Sequence, residues 1–133
     1  MKTLFLTFLL LLSVNLLAED DDHHSVHETE EFSLEPNVIK NFSIAYEPAV
    51  EVGSFMKIKL TSLVRSLNVT SIFIFEKGKF RSVIVKIENS SSEFYLISSE
   101  QNLRGKDIVY QGTNFLKTLQ LALEEGPSEG HGH

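Results

Sequence analysis

The runs Ser71-Ile-Phe-Ile-Phe-Glu76 and Lys79-Phe-Arg-Ser-Val-Ile-Val-Lys-Ile87, joined by Lys77-Gly78, constrain this chain more than any other feature. Two β-rich runs separated by two residues predict an antiparallel hairpin, because a turn that short leaves no length for a crossover. Lys-Gly is a weaker turn signal than Asn-Gly, and the flanking β-branched and aromatic side chains compensate. Strands that follow one another in this way exclude a doubly wound α/β arrangement.

The segments around the hairpin extend the same pattern. Phe32-Ser-Leu34 reads as a short strand, and Pro36 suits the first turn of a brief helix over Pro36 to Asn41. Val38, Ile39 and Phe42 give that helix an apolar face, and Ser43 to Pro48 reads as extended. After a break at Gly53, Phe55, Lys57 and Lys59 alternate with Met56, Ile58 and Leu60, the period of a half-buried strand. Asn89 to Ser92 reads as a polar loop, and Glu93 to Ser98 as a strand packing Phe94, Leu96 and Tyr95. A turn at Arg104-Gly105 precedes a strand over Asp107 to Gln111. Gly112-Thr113-Asn114 then offers cap chemistry for a last helix, whose apolar face would be Phe115, Leu119 and Ala122 with Leu116 and Leu123. The expected fold is mainly β (α+β), a small β-roll or barrel of about six strands with a short N-terminal helix and a C-terminal helix.

Residues 1–18, MKTLFLTFLLLLSVNLLA, combine Lys2, a Leu/Phe-rich run and a terminal Ala18, the plan of a secretory signal peptide. An uncleaved N-terminal anchor is the alternative. Cleavage would leave 115 of the 133 residues, enough for one modest domain. The chain has no cysteine, so neither a disulfide nor a lipid-attachment cysteine enters the argument. An exported domain without cross-links points to a bacterial periplasm, and the Asn-X-Ser/Thr triplets at Asn41, Asn68 and Asn89 read as chance occurrences.

Charge divides the chain by region. Residues 19–31 hold seven acids and no Lys or Arg, residues 32–123 eight acids and eleven bases, and residues 124–133 three acids. The reading is therefore an acidic, His-rich disordered tail over 19–31, a mildly basic β domain over 32–123 and a flexible Gly/His tail over 124–133. The bases form no dense cluster with interleaved aromatics, so no nucleic-acid partner is expected.

All five histidines lie in the tails, at His23, His24, His27, His131 and His133. Imidazoles among carboxylates are ligands for Zn(II), Cu(II), Ni(II) or Co(II), here as bound cargo with no cofactor required. Asp20, Asp21 and Asp22 would raise the local cation concentration, and His131 and His133 can chelate one ion together. The middle of the chain offers no cysteine, histidine or Gly-rich phosphate loop, and Glu47, Glu51, Glu76, Glu88 and Glu93 are scattered. No enzyme is expected. Phe73, Phe75, Phe80, Phe94 and Tyr95 read as ordinary core rather than as a ligand pocket.

Ser33-Leu-Glu-Pro-Asn-Val-Ile-Lys-Asn-Phe-Ser-Ile-Ala-Tyr-Glu-Pro48 resembles the opening of periplasmic adaptor (membrane-fusion) subunits of heavy-metal resistance-nodulation-division efflux pumps. Leu60-Thr-Ser-Leu-Val64 through the hairpin to Ile87 is similar to the membrane-proximal domain of that family. Leu103-Arg-Gly-Lys-Asp-Ile-Val109, Gly112-Thr-Asn-Phe-Leu116 and the ending Gly-His-Gly-His133 resemble its C-terminal end. The resemblance spans Phe32 to His133. In that family a β-barrel, a lipoyl-like domain and usually a helical hairpin interrupt this domain, whereas here about ten residues, from Pro48 to Lys57, stand in their place. Asn102 also stands where the family commonly has glycine. The resemblance implies a non-enzymatic, adaptor-like accessory protein of the periplasm that contacts the inner-membrane transporter or its adaptor, with divalent metal held by the tails. The alternatives are a free periplasmic metal chaperone or buffer, and a structural or ligand-binding β domain without a metal role.

Overall fold

A computed structural model describes residues 30–125. Nine strands, two α-helices and a 3-10 turn account for most of them: α1 (Pro36–Asn41), β1 (Ala45–Pro48), β2 (Val50–Val52), β3 (Phe55–Lys59), the 3-10 turn Leu60–Ser62, β4 (Val64–Ser66), β5 (Val69–Glu76), β6 (Lys79–Ile84), β7 (Lys86–Ser90), β8 (Phe94–Ser98), β9 (Asp107–Gln111) and α2 (Thr113–Glu125). The fold is mainly β with a short early helix and a terminal helix, as the sequence predicts. The strands number nine rather than about six, because short segments that read as turns or loops also pair.

The strands form two antiparallel sheets. The first has the order β1-β9-β5-β4, with β6 along the other edge of β5, and the second has the order β2-β3-β8-β7. The predicted hairpin is β5 and β6, with Glu76 opposite Lys79 and Phe75 opposite Phe80. Lys77 and Gly78 both have positive φ, 55° and 78°, the combination a type I′ two-residue turn requires. The second arm is shorter than the sequence suggests. β6 ends at Ile84, opposite Ser71, although β5 extends two residues further to Val69; the chain leaves β5 at Val85, whose N–H still donates to the Thr70 carbonyl at 2.9 Å. From Lys86 it pairs with β8 in the second sheet, so residues 89 and 90, expected in a loop, close β7.

β5 explains why its apolar residues follow one another without a polar break. Ile72 and Ile74 face the second sheet, in a core with Ile58, Val83, Val85, Ile97, Leu103 and Ile108. Phe73 faces the other way, into a core with Phe32, Ile44, Val64, Phe80, Val109 and Leu116. The first sheet is thus covered on both faces, by the second sheet and by the helices, and a strand buried on both faces needs no alternation. Phe32 forms a lone antiparallel bridge with Phe80 rather than a full strand, with N–H···O distances of 3.0 and 2.7 Å.

The last helix differs from its expected face. Thr113, Leu116 and Gln120 are buried, Phe115 and Leu119 pack partly, and Ala122 and Leu123 are exposed. The Thr113 hydroxyl does not cap its own helix; it donates to the Thr61 carbonyl at 3.2 Å, tying α2 to the 3-10 turn. Gly112, at φ +85°, brings Ile44 so close that a Cβ would stand 2.8 Å from its Cγ1. Phe42 stacks on Phe115 with centroids 3.9 Å apart, joining α1 to α2.

Candidate functional site

The second sheet has one face on the core and one on solvent, and the solvent face is the candidate site. Antiparallel pairing puts directly opposed residues on one face. Val50 faces Lys57, Val52 faces Phe55, Lys57 faces Leu96 and Lys59 faces Phe94. The outward row of β2, β3 and β8 is therefore Val50, Val52, Phe55, Lys57, Lys59, Phe94 and Leu96. Met56, Ile58, Tyr95 and Ile97 occupy the inward row and pack on the core. The alternation predicted for β3 holds from Phe55 to Ile58, while Leu60 leaves the strand and is exposed. In β8 the expectation needs correction: Phe94 and Leu96 point outward, and Tyr95 and Ile97 pack inward.

A solvent-facing sheet surface ordinarily carries polar side chains. Here Val50 and Val52 are 50% and 42% exposed, and Phe55, Phe94 and Leu96 are half-buried beside them. Cations interrupt this apolar surface. The Lys57 ammonium lies 4.9 Å from the Phe94 ring centroid, and its stem covers apolar surface while its charge stays in water. Lys59 spans the seam between the sheets, 3.9 Å from the Tyr110 ring centroid and 3.3 Å from Glu47. Lys86 stands at the far edge, 4.0 Å from Glu88, which accepts a 2.5 Å hydrogen bond from the Ser98 hydroxyl.

One end of this face opens into a groove of about 180 Å³, lined by Met56, Ile97 and Leu103 and by the polar Ser98, Gln101 and Asn102. At its rim Arg104 Nε donates to Glu51 Oε1 at 2.9 Å, linking the β8–β9 loop to β2. Phe55 and Ser98 belong both to the groove and to the strands that carry the outward face, so the two are continuous.

Behind the groove, a charged network holds the loop in place. Arg81 donates to Gln101 Oε1 at 2.6 Å and lies 3.7 Å from Glu76 and 4.0 Å from Glu31. Lys106 also donates to Glu76. The Lys106 hydrogen bond holds the Glu76 carboxyl below its ordinary value; desolvation opposes it, and the charges of Lys106, Arg81 and Lys77 add to the lowering. A carboxylate so stabilised is a weaker base than a free one, which suits an ion pair better than proton transfer.

The metal-ligand residues proposed from sequence, His23, His24, His27, His131 and His133, lie outside the described residues, as do Asp20, Asp21 and Asp22. Among the described residues no three His, Cys, Asp or Glu side chains converge on a point that could hold a metal ion. Among the described residues no helix is long and apolar enough to cross a membrane. The aromatic residues divide: Phe73 and Phe80 are fully buried with Phe32, whereas Phe94 serves the outward face. The signal for that face was present in the sequence as Val50-Glu-Val52 and the Phe55/Lys57/Lys59 alternation. Which row met solvent depended on where the first sheet lay. Compared with known proteins, the chain matches no family model, no curated protein and no solved structure.

Proposed function

We propose that this chain is a non-enzymatic, exported accessory protein of a heavy-metal efflux system. Its β domain docks on the inner-membrane transporter or its adaptor, and its His-bearing tails hold divalent metal as cargo. The observation that carries the docking half is the outward face of β2, β3 and β8, where Val50, Val52, Phe55, Phe94 and Leu96 surround Lys57, with Lys59 at the seam between the sheets and Lys86 at the far edge. Such a surface loses its water readily, and the cations select a partner patch that is apolar and acidic. The resemblance of Phe32 to His133 to the membrane-proximal domain of adaptor subunits supports the choice of partner. The composition of the tails supports the choice of cargo, with His23, His24, His27, His131 and His133 as ligands whose affinity falls as imidazole protonates below about pH 6.5.

Affinity capture from membranes containing the transporter tests the docking. The parent chain should recover the transporter, and a Val52→Glu, Leu96→Glu variant should recover little, because two buried carboxylates would face an apolar patch. Equal recovery by both overturns the docking face. Titration calorimetry with Zn(II), Cu(II) and Ni(II), comparing the parent with a variant in which all five histidines are replaced by alanine, tests the cargo. Equal binding would remove the tails from the reading. Metal binding without transporter recovery would favour a free periplasmic buffer instead.

A further inference from the structure

The β4–β5 hairpin ends in a feature that the docking face leaves unused. Ser66 pairs with Val69, so Leu67 and Asn68 form a two-residue loop. Leu67 is fully exposed and has φ 48°, a left-handed conformation that is uncommon for a bulky side chain. Val69 is 45% exposed. Ile84, opposite Ser71 and two residues along the same face of the sheet from Val69, is 65% exposed. Three aliphatic side chains thus emerge at one end of the first sheet. The groove lies toward the other end, where Phe75 pairs with Asp107.

We propose that this hairpin tip enters a lipid surface, with Leu67 and Val69 in the acyl boundary and Arg65 at the headgroups. Leu67 projects fully into solvent from a two-residue loop, a geometry that can insert into a surface. No Asp or Glu occurs from Leu60 to Phe75, so the hairpin itself brings no carboxylate to an anionic surface. Arg65, exposed on β4, meets no carboxylate among the described residues. The side chains between the apolar ones, Ser66, Asn68 and Thr70, are small and polar and suit the hydrated headgroup layer. The β4–β5 ladder keeps the backbone groups of the arms paired up to Ser66 and Val69, so a shallow insertion exposes little unsatisfied backbone to hydrocarbon. Interfacial elements of this kind lie about 5–10 Å into the boundary and bind anionic lipid more tightly when a cation flanks the apolar group.

The chain contains no tryptophan, so a single introduced indole reports its own surroundings. In the full chain, Leu67→Trp should show a blue-shifted emission on phosphatidylcholine/phosphatidylglycerol vesicles and be quenched when their acyl chains are brominated. Phe55→Trp, on the docking face, should show neither change. Adding Arg65→Glu to Leu67→Trp should weaken the quenching on anionic vesicles. Emission from Leu67→Trp that stays at its aqueous position on these vesicles overturns the proposal. Equal quenching at both positions overturns it too, because it would mean adsorption without orientation.

Discussion

Gly112 carries two constraints in one residue. It joins β9 to α2 with φ +85°, and Ile44 stands where a Cβ would go. Gly112→Ala therefore combines left-handed strain of about 1–2 kcal/mol with overpacking of about 1–3 kcal/mol. Denaturant unfolding should register a loss of roughly that sum. Gly78→Ala is the contrast, since its φ is also positive but nothing lies within 4 Å of the added carbon. It should lose only the strain. Glu76 makes a second residue-scale prediction. Its folded pKa lies below the ordinary 4.5, so its ion pairs with Lys106 and Arg81 stabilise the fold fully above that pH. The contribution disappears as pH falls from about 4.5 through the lowered folded value. In acid titrations followed by circular dichroism, Glu76→Gln should be less stable than the parent near neutrality, with the difference narrowing below pH 4.5. Parallel acid curves would contradict this.

At the scale of elements, the second sheet separates two rows that both hold large apolar side chains, of which the outward one also carries Lys57 and Lys59. Ile58 is buried and Val52 is largely exposed, although both lie on the same hairpin. Ile58→Ala should cost about 2–5 kcal/mol by opening a cavity between the sheets. Val52→Ser should stay within about 0.5 kcal/mol, because its side chain meets solvent in the free protein. Similar losses for the two would mean that the outward row is packed. The sequence showed β3 through its alternation and α1 through Pro36, since both signals are local. It placed the apolar face of α2 less well. The buried stripe runs Thr113, Leu116, Gln120 because Gly112 and Thr113 are tied to Ile44 and Thr61, and that tie rotates the helix about its axis. Composition alone would not put a glutamine in that stripe.

Across the whole molecule, β5 belongs to both cores. Ile74 fills the space between the sheets, and Phe73, next to it, fills the space under the helices. Two cores that share a strand cannot be lost one at a time without tearing that strand. Unfolding should therefore be a single cooperative event, with far-ultraviolet circular dichroism and tyrosine fluorescence giving coincident transitions. Phe73→Ala, at about 3–5 kcal/mol, and Ile74→Ala, at about 2–5 kcal/mol, should shift that one transition rather than split it. Separate transitions in either variant would show that the two layers are independent.

By itself the sequence determined the local elements: the hairpin at Lys77-Gly78, the helix begun by Pro36, the alternation of β3, the strand over Asp107 to Gln111 and the terminal helix. Each rests on side-chain spacing or backbone preference within a few residues, and such signals survive without knowledge of the rest of the chain. The sequence also carried the chemistry of the tail histidines, which lie outside the described residues. Only the tertiary structure decided that Lys79 to Ile87 divides at Val85 between two sheets, because the division depends on where β8 lies to pair with Lys86 and Ile87. It alone decided that Phe94 and Leu96 face solvent while Tyr95 and Ile97 face the core. An alternating strand has two candidate inner faces, and the choice between them is made by whichever element packs against it.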